Sequence, residues 1–326
     1  MSISIIITSF NDSHYLMSLI DDVTKQDFDL SKVELILIEA GENNFKEVCK
    51  IISKTKINLN YFHRPKMSRI DALNECLLLA KNDLIVRLDS RVHIENNYIT
   101  SIFNLANNSD ATVVGGLKVP IGKSKKQKLI AKIMSHPGLL GGAKARRSSY
   151  QGYADTVYLG AYKREVVQGK FEFDKIYERM SEDADLNHRI TKSGKKIYIS
   201  GEIKAYYYPR ETFFKFIKLM FGYGISSGLF VLKNRKIKLR QLILPLASLI
   251  LILLFILSIY FPFFIFITLA QTMLYLIAIS FFAVSISKSN IIRFIQSFFC
   301  FLATHFMWTI GFYYSLFIFF KKNYFI

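Results

Sequence analysis

From about Leu242 to Phe320 the chain is almost continuously apolar, whereas up to Arg240 charged and apolar residues are interleaved. This break constrains the fold more than any other feature. Uncharged runs of about 20 residues are long enough to cross a hydrocarbon core about 30 Å thick. Residues 242–261 and 263–286, separated by Pro262, predict two membrane helices in a tight hairpin. After Lys288 and Arg293, a run from about residue 295 to 320 predicts a third. The 51% hydrophobic content is thus unevenly spread, and the first 240 residues have the mixed composition of a globular domain.

The net charge of +18 is concentrated as well. Residues 118–147 carry nine Lys or Arg and no acid, and Lys233, Arg235, Lys236, Lys238 and Arg240 stand just before the apolar half. Basic segments beside membrane helices face the cytoplasm and attract anionic lipid headgroups. No nucleic-acid motif accompanies the charge, so membrane lipid, and not nucleic acid, is the expected partner. Positions 3–7 are too short and lack the basic flank of a signal peptide. The expectation is a multi-pass protein of the inner (plasma) membrane with its front domain in the cytosol. Lys321 and Lys322 would then lie outside, against the positive-inside rule. Cys49, Cys76 and Cys300 are too scattered for a disulfide framework or a zinc site.

Within the front part, residues 2–9, 34–38, 58–62, 84–88 and 111–116 are short aliphatic runs that read as strands, with helices predicted over 13–26 and 68–80. Alternating strands and helices predict an α/β domain with a mostly parallel sheet. Ligands of such sheets sit at the carboxyl ends of the strands, here just after Ile7, Ile38 and Leu88. The expected organisation is a cytosolic globular domain over 1–210, an interfacial amphipathic and basic juxtamembrane segment over 211–240 and a membrane domain over 241–326. Residues 213–232 mix Phe213, Phe214, Phe216, Met220 and Phe221 with Lys215 and Lys218, which suits an interfacial helix or one packed on the soluble domain.

Several segments resemble family 2 glycosyltransferases: Ile5-Ile6-Ile7-Thr8-Ser9-Phe10-Asn11, Glu34-Leu35-Ile36-Leu37-Ile38-Glu39-Ala40-Gly41, Ser68-Arg69 with Ala72-Leu73-Asn74, Ile85-Val86-Arg87-Leu88-Asp89-Ser90-Arg91, Tyr158-Leu159-Gly160-Ala161-Tyr162-Lys163-Arg164, and Glu182-Asp183-Ala184-Asp185-Leu186-Asn187. Their order matches that family up to about residue 210, and the trailing spans resemble its membrane-attached branch that builds exopolysaccharide. The resemblance implies a glycosyltransferase A fold and an inverting transfer from a nucleotide-diphosphate sugar, UDP-linked by preference, to a lipid-linked saccharide or polysaccharide. Transfer to polyprenyl phosphate and a non-catalytic scaffold are the alternatives. A processive synthase is disfavoured, because residues 218–224 stand where that class has Gln-x-x-Arg-Trp.

By the same resemblance, Thr8, Phe10, Asn11, Glu39, Arg69, Asn74, Asp89 and Arg91 bind the donor. Glu39 would accept a hydrogen bond from a uracil-like base, and on its own it is equally a polar strand exit. Arg69 at a helix start suits an anionic ligand or a surface salt bridge. Asp89 would meet ribose or a divalent cation (Mn²⁺ or Mg²⁺). The second acid of the family's Asp-x-Asp is replaced by Arg91, which cannot ligate a metal but can pair with diphosphate. Either Asp89 and His93 hold the metal, or Arg91 partly replaces it and metal dependence is weak or dispensable. Asp183 is the expected general base, on a helix capped by Ser181 and ended by Gly194. The Gly-rich, basic residues 138–147 would close over the diphosphate, bind an anionic acceptor, or face the membrane.

Overall fold

The computed structural model describes residues 2–140, 150–178 and 180–323. The chain divides into two compact units, residues 1–120 with 143–208, and residues 121–142 with 209–326. Most of the basic segment at 138–147 therefore lies outside the described residues.

The first unit is built on one nine-stranded sheet. In chain order it runs β1 (Ile3–Phe10), α1 (Ser13–Thr24), β2 (Val33–Ala40), α2 (Phe45–Ile52), β3 (Asn58–His63), α3 (Arg69–Leu79), β4 (Leu84–Asp89), β5 (Val92–Ile94), α4 (Tyr98–Asn108) and β6 (Val113–Pro120). The chain then leaves for α5 (Lys125–Ser135) and α6 (Pro137–Leu140) of the second unit. It returns through β7 (Gly152–Tyr153), β8 (Tyr158–Lys163), α7 (Arg164–Val167), α8 (Glu182–Lys192) and β9 (Ile197–Tyr207).

Strand order is β3-β2-β1-β4-β8-β6-β9-β5, with β7 also on β9. The first four strands are parallel and are the aliphatic runs visible in the sequence. Ile3, Ile5, Ile6 and Ile7 of β1 and Leu35 to Ile38 of β2 are almost wholly removed from water, as a parallel sheet covered on both faces requires. The order reverses at β1, flanked by β2 and β4, and the carboxyl ends of these strands are where such a sheet places a ligand. β8 enters antiparallel between β4 and β6, and β6 pairs parallel with β9.

The second unit adds α9 (Phe213–Asn234), α10 (Leu239–Tyr260), α11 (Phe263–Ser287) and α12 (Ile291–Asn323). All four are long and apolar enough to cross a membrane. α9, expected to be interfacial or packed on the sheet domain, instead packs on α12 through glycines. A Cβ at Gly224 would lie 2.0 Å from the Trp308 carbonyl oxygen, and one at Gly228 would lie 1.9 Å from Ser315 Oγ. Such close approach is how small residues let helices associate where lipid removes the hydrophobic driving force. α5 buries Leu129, Ile130, Ile133 and Met134 in this unit and leaves Lys125, Lys126, Lys128 and Lys132 exposed. The connection after α5 is pinned by His305, which bonds the Gly138 carbonyl at 2.9 Å, and by His136, which bonds Ser285 at 3.1 Å.

Candidate active site

Parallel pairing sets Thr8 of β1 beside Asp89 at the end of β4, so both reach the crevice. The Asp89 carboxylate is not alone there. Its Oδ1 accepts from Arg87 at 3.0 Å and from Arg69 at 3.3 Å. Glu182, at the start of α8, takes the same two guanidiniums, Arg87 at 2.6 Å and Arg69 at 3.0 Å. Two cations thus bridge two carboxylates across three elements far apart in sequence. Arg87 and Glu182 are 2% and 3% exposed, and removing either would leave its partner charged in a low-dielectric interior.

The sequence reading missed Arg87 as a site residue. The signal was present: a guanidinium in the middle of an aliphatic strand must find a buried anion. Its Nε and Nη1 have no hydrogen-bond partner among the described residues, and its charge lies 5.2 Å above the Phe173 ring. Asn74 holds that loop in place. It donates to the Phe173 carbonyl at 2.9 Å and accepts from the Phe173 N–H at 2.7 Å. Asn74 therefore supports the site through backbone and spends both ends of its amide doing so.

The electrostatics separate three neighbouring carboxyls. Burial alone would raise Asp89, but Arg87, Arg69 and Lys118 outweigh it and hold the group well below the usual carboxylate range. Glu182 is likewise lowered, burial being outweighed by Arg69 and Arg87. Asp183 goes the other way. Burial, then the charge of Glu182, push it up to about 6 against the opposing pull of Arg87. Two fixed anions beside one carboxyl that titrates near neutrality is the pattern by which proteins assign acid and base roles. Asp183 Oδ1 accepts from the Ala184 N–H at 2.8 Å, which fixes its direction.

The backbone at this point corrects one expectation. Ser181 does not cap α8 with its side chain; it sits in the left-handed region at φ +65°. That conformation is costly for a residue with a Cβ and turns the chain sharply just before Glu182 and Asp183. Gly194, at φ +84°, ends the helix region as expected.

The remaining predicted residues fall into two groups. Around β1 and β2, Phe10 is exposed, and Asn11, at φ +50°, accepts from the Glu42 N–H at 3.1 Å. Glu39 is fully buried and accepts from Tyr61 Oη at 2.6 Å, the Asn44 N–H at 3.0 Å and the Asn44 side chain. The second group is engaged with α1 and the end of β9. Arg91 Nη1 donates to Asp12 at 2.9 Å, its Nε donates to the Tyr208 carbonyl at 3.1 Å, and its charge lies 4.0 Å from the Tyr15 ring centre. His93 Nδ1 bonds Asp22 at 2.8 Å.

These commitments bear on metal binding. A divalent cation such as Mn²⁺ or Mg²⁺ needs several oxygen ligands. Asp89 Oδ1 is shared by two guanidiniums, Arg91 and His93 are engaged elsewhere, and no group of three His, Cys, Asp or Glu among the described residues is placed to hold an ion. Among the described residues the side chains form no cage for a divalent cation by themselves, and the two guanidiniums on Asp89 oppose one there.

Lys118 of β6 is a further neighbour that the sequence reading counted only as part of a basic run. Its Nζ lies 3.8 Å from the Tyr207 ring centre and 4.3 Å from that of Tyr158. The Tyr158 hydroxyl is in turn 3.5 Å from Asp89 Oδ2.

Comparison with known proteins gives the family and the fold. The model of Glycosyl transferase family 2 matches residues 4–169, just over half of the chain. The chain is 24% identical over 242 residues to the dolichyl N-acetyl-alpha-D-glucosaminyl phosphate 3-beta-D-2,3-diacetamido-2,3-dideoxy-beta-D-glucuronosyltransferase of Methanococcus voltae, covering 71% of this chain and 74% of that protein. It is also 24% identical over 247 residues to the succinoglycan biosynthesis protein ExoA of Rhizobium meliloti, covering 74% of each. Among solved structures, the mannosyltransferase PcManGT of Pyrobaculum calidifontis, determined with GDP-Man and Mn²⁺, superposes with a TM-score of 0.59 at 13% identity. That match covers 96% of this chain and 86% of the other, and it supports the glycosyltransferase A fold.

Proposed function

The chain belongs to glycosyl transferase family 2, and from that premise we propose that it transfers a sugar, with inversion, from a nucleoside-diphosphate donor to a hydroxyl of a lipid-linked saccharide or polysaccharide. The observation that carries the reading is the shared pair of guanidiniums. Arg69 and Arg87 tie the strand-end Asp89 to Glu182, the residue before Asp183. Donor and base are thereby held in one rigid frame, as effective transfer requires.

In this frame the acceptor oxygen attacks the anomeric carbon while Asp183 takes its proton. The carbon–oxygen bond to the diphosphate breaks, and the electron pair leaves with the nucleoside diphosphate. A carboxyl that titrates near 6 is ionised at neutral pH yet basic enough to accept that proton. Thr8, Phe10 and Asn11 stand at the β1–β2 end of the sheet, where the base and ribose belong, with buried Glu39 behind them and UDP the favoured donor. Glu39 acts there through Tyr61 and Asn44, whose contacts with it set the pocket wall. The activities for which the Methanococcus and Rhizobium relatives are named, transfer to a dolichyl-phosphate-linked sugar and succinoglycan biosynthesis, favour a lipid-linked saccharide as acceptor.

The four apolar helices support a membrane protein. Basic residues beside them, Lys233, Arg235, Lys236 and Lys238 among them, favour a multi-pass arrangement in the plasma membrane with the sheet unit cytosolic. The test is turnover of UDP-, GDP- and dTDP-sugars by the detergent-solubilised chain with a lipid extract as acceptor. Nucleoside diphosphate should be released and labelled sugar should move to the lipid phase. Release without lipid labelling would leave the acceptor assignment wrong.

A further inference from the structure

The side chains around Asp89 do not suit a metal, and we propose that Lys118, with Arg69, stands in for it. The Lys118 ammonium receives the donor diphosphate and stabilises it as it leaves, so transfer needs no divalent cation. The proposal rests on the glycosyltransferase reading and deepens it.

Arg69 and Arg87 occupy Oδ1 of Asp89, the Tyr158 hydroxyl lies at Oδ2, and the Lys118 ammonium sits beside the Tyr158 ring, near enough to act on the Asp89 charge. A divalent cation approaching this carboxylate would meet three fixed positive charges. A diphosphate would be drawn to the same three, although Arg69 and Arg87 are each already paired with Asp89 and Glu182, so Lys118 supplies the main added attraction. Of the three, Arg87 is buried and shared by Asp89 and Glu182, which leaves it inside the frame. Arg69 is 37% exposed and Lys118 is half-buried, so these two can present charge to a ligand. Arg91, the cation that the sequence offered for this role, is held by Asp12, Tyr208 and Tyr15.

Lys118 is also well held for the task. It projects from the central sheet, in register with Ala205 of β9, and not from a loop. The Tyr207 and Tyr158 rings lie 3.8 and 4.3 Å from its Nζ and fix a flexible side chain by cation–π attraction. A preorganised charge aimed at the place where negative charge develops is the strongest electrostatic device available to such a site. Lysine suits it, being a compact cation that binds phosphate as a point charge. As the bond between the anomeric carbon and the phosphate oxygen breaks, its electron pair stays on that oxygen beside the ammonium. Lys118 gives up no proton in the step, and the acceptor proton goes to Asp183.

The test uses the full chain in detergent after treatment with EDTA. The wild type is compared with Lys118→Met, Lys118→Arg and the remote surface variant Lys50→Met. Equilibrium binding of UDP, GDP and dTDP is measured against the matching monophosphates, and turnover is followed with and without added Mn²⁺. We expect the wild type and Lys50→Met to bind one diphosphate about 10-fold or more tighter than its monophosphate in EDTA. Lys118→Met should lose most of that preference and about 100-fold in kcat, and Lys118→Arg should recover part of both. If the wild type prefers the diphosphate only when Mn²⁺ is added, or if Lys118→Met keeps the preference, the proposal is overturned and the glycosyltransferase reading stands. If the wild type binds no nucleoside diphosphate under either condition and consumes no donor, the glycosyltransferase reading itself falls.

Discussion

Replacing Asp183 by Asn removes one ionisable proton and keeps the shape of the side chain, including an oxygen able to accept from the Ala184 N–H. The native carboxyl is raised from 3.8 to about 6, first by burial and then by Glu182. Because the native pKa lies above the unfolded one, the unfolded chain loses this proton first as pH rises. Wild-type stability therefore falls between about pH 4 and pH 6, and the full loss persists at higher pH. At about 1.4 kcal/mol per pH unit, the shift amounts to at most about 3 kcal/mol, and solvent reaching this partly exposed group brings it to roughly 1–3 kcal/mol. Asp183→Asn should thus match wild type near pH 4 and become the more stable protein by pH 7. In a domain of this size each kcal/mol is about 2–4 °C in Tm.

The stability assay should report the sheet unit alone. Cys76 is fully buried in its core, so the reaction of its thiol with a fluorogenic dye during heating, in a Cys49→Ser, Cys300→Ser background, follows unfolding there. The same variant should lose about 100-fold or more in turnover at pH 7.5, the usual contribution of a general base. In the wild type, kcat/KM should rise through about pH 6 and then level. A variant that is both active and less stable than wild type at pH 7 would refute the assignment of base and pKa together.

Three further outcomes follow from particular contacts. Arg87→Met strands Glu182 without its 2.6 Å partner and should cost about 3–5 kcal/mol, measured by the same Cys76 assay; adding Glu182→Leu should recover much of the loss. Arg91→Lys should lose the Tyr208 contact and the stacking on Tyr15, lowering stability by about 1–2 kcal/mol while donor affinity in equilibrium binding changes less than about 3-fold. Gly224→Leu drives a side chain into the Trp308 carbonyl and should separate α9 from α12. The single tryptophan then reports the damage as an earlier thermal transition in its emission, worth about 1–3 kcal/mol.

Much of the first unit was legible because parallel strands buried on both faces are continuous aliphatic runs, and β1, β2 and β4 stand out as such. Their carboxyl ends then located the crevice, and Asp89 and the Glu182–Asp183 pair were visible as acids at element termini. What joins them was not visible. Arg87 meets Glu182 across 95 positions and Arg91 meets Asp12 across 79, and no local pattern encodes such pairings. Arg91 looked like a diphosphate ligand because it replaces an acid, yet its side chain turns to Asp12 and Tyr15. Lys118 was hidden in a long basic run, and only the pairing of β6 with β8 and β9 brings the two tyrosines around it. The excursion through α5 and α6 was also missed, since its many lysines masked the apolar side of α5, which belongs to the second unit.

The measurement that bears most directly on the account is donor turnover by the intact chain in detergent, with lipid extract as acceptor, for wild type beside Asp183→Asn. The account predicts that the wild type releases one nucleoside diphosphate for each sugar moved to the lipid phase, and that Asp183→Asn, folded and still binding donor, releases almost none. Equal turnover by the two proteins would contradict it.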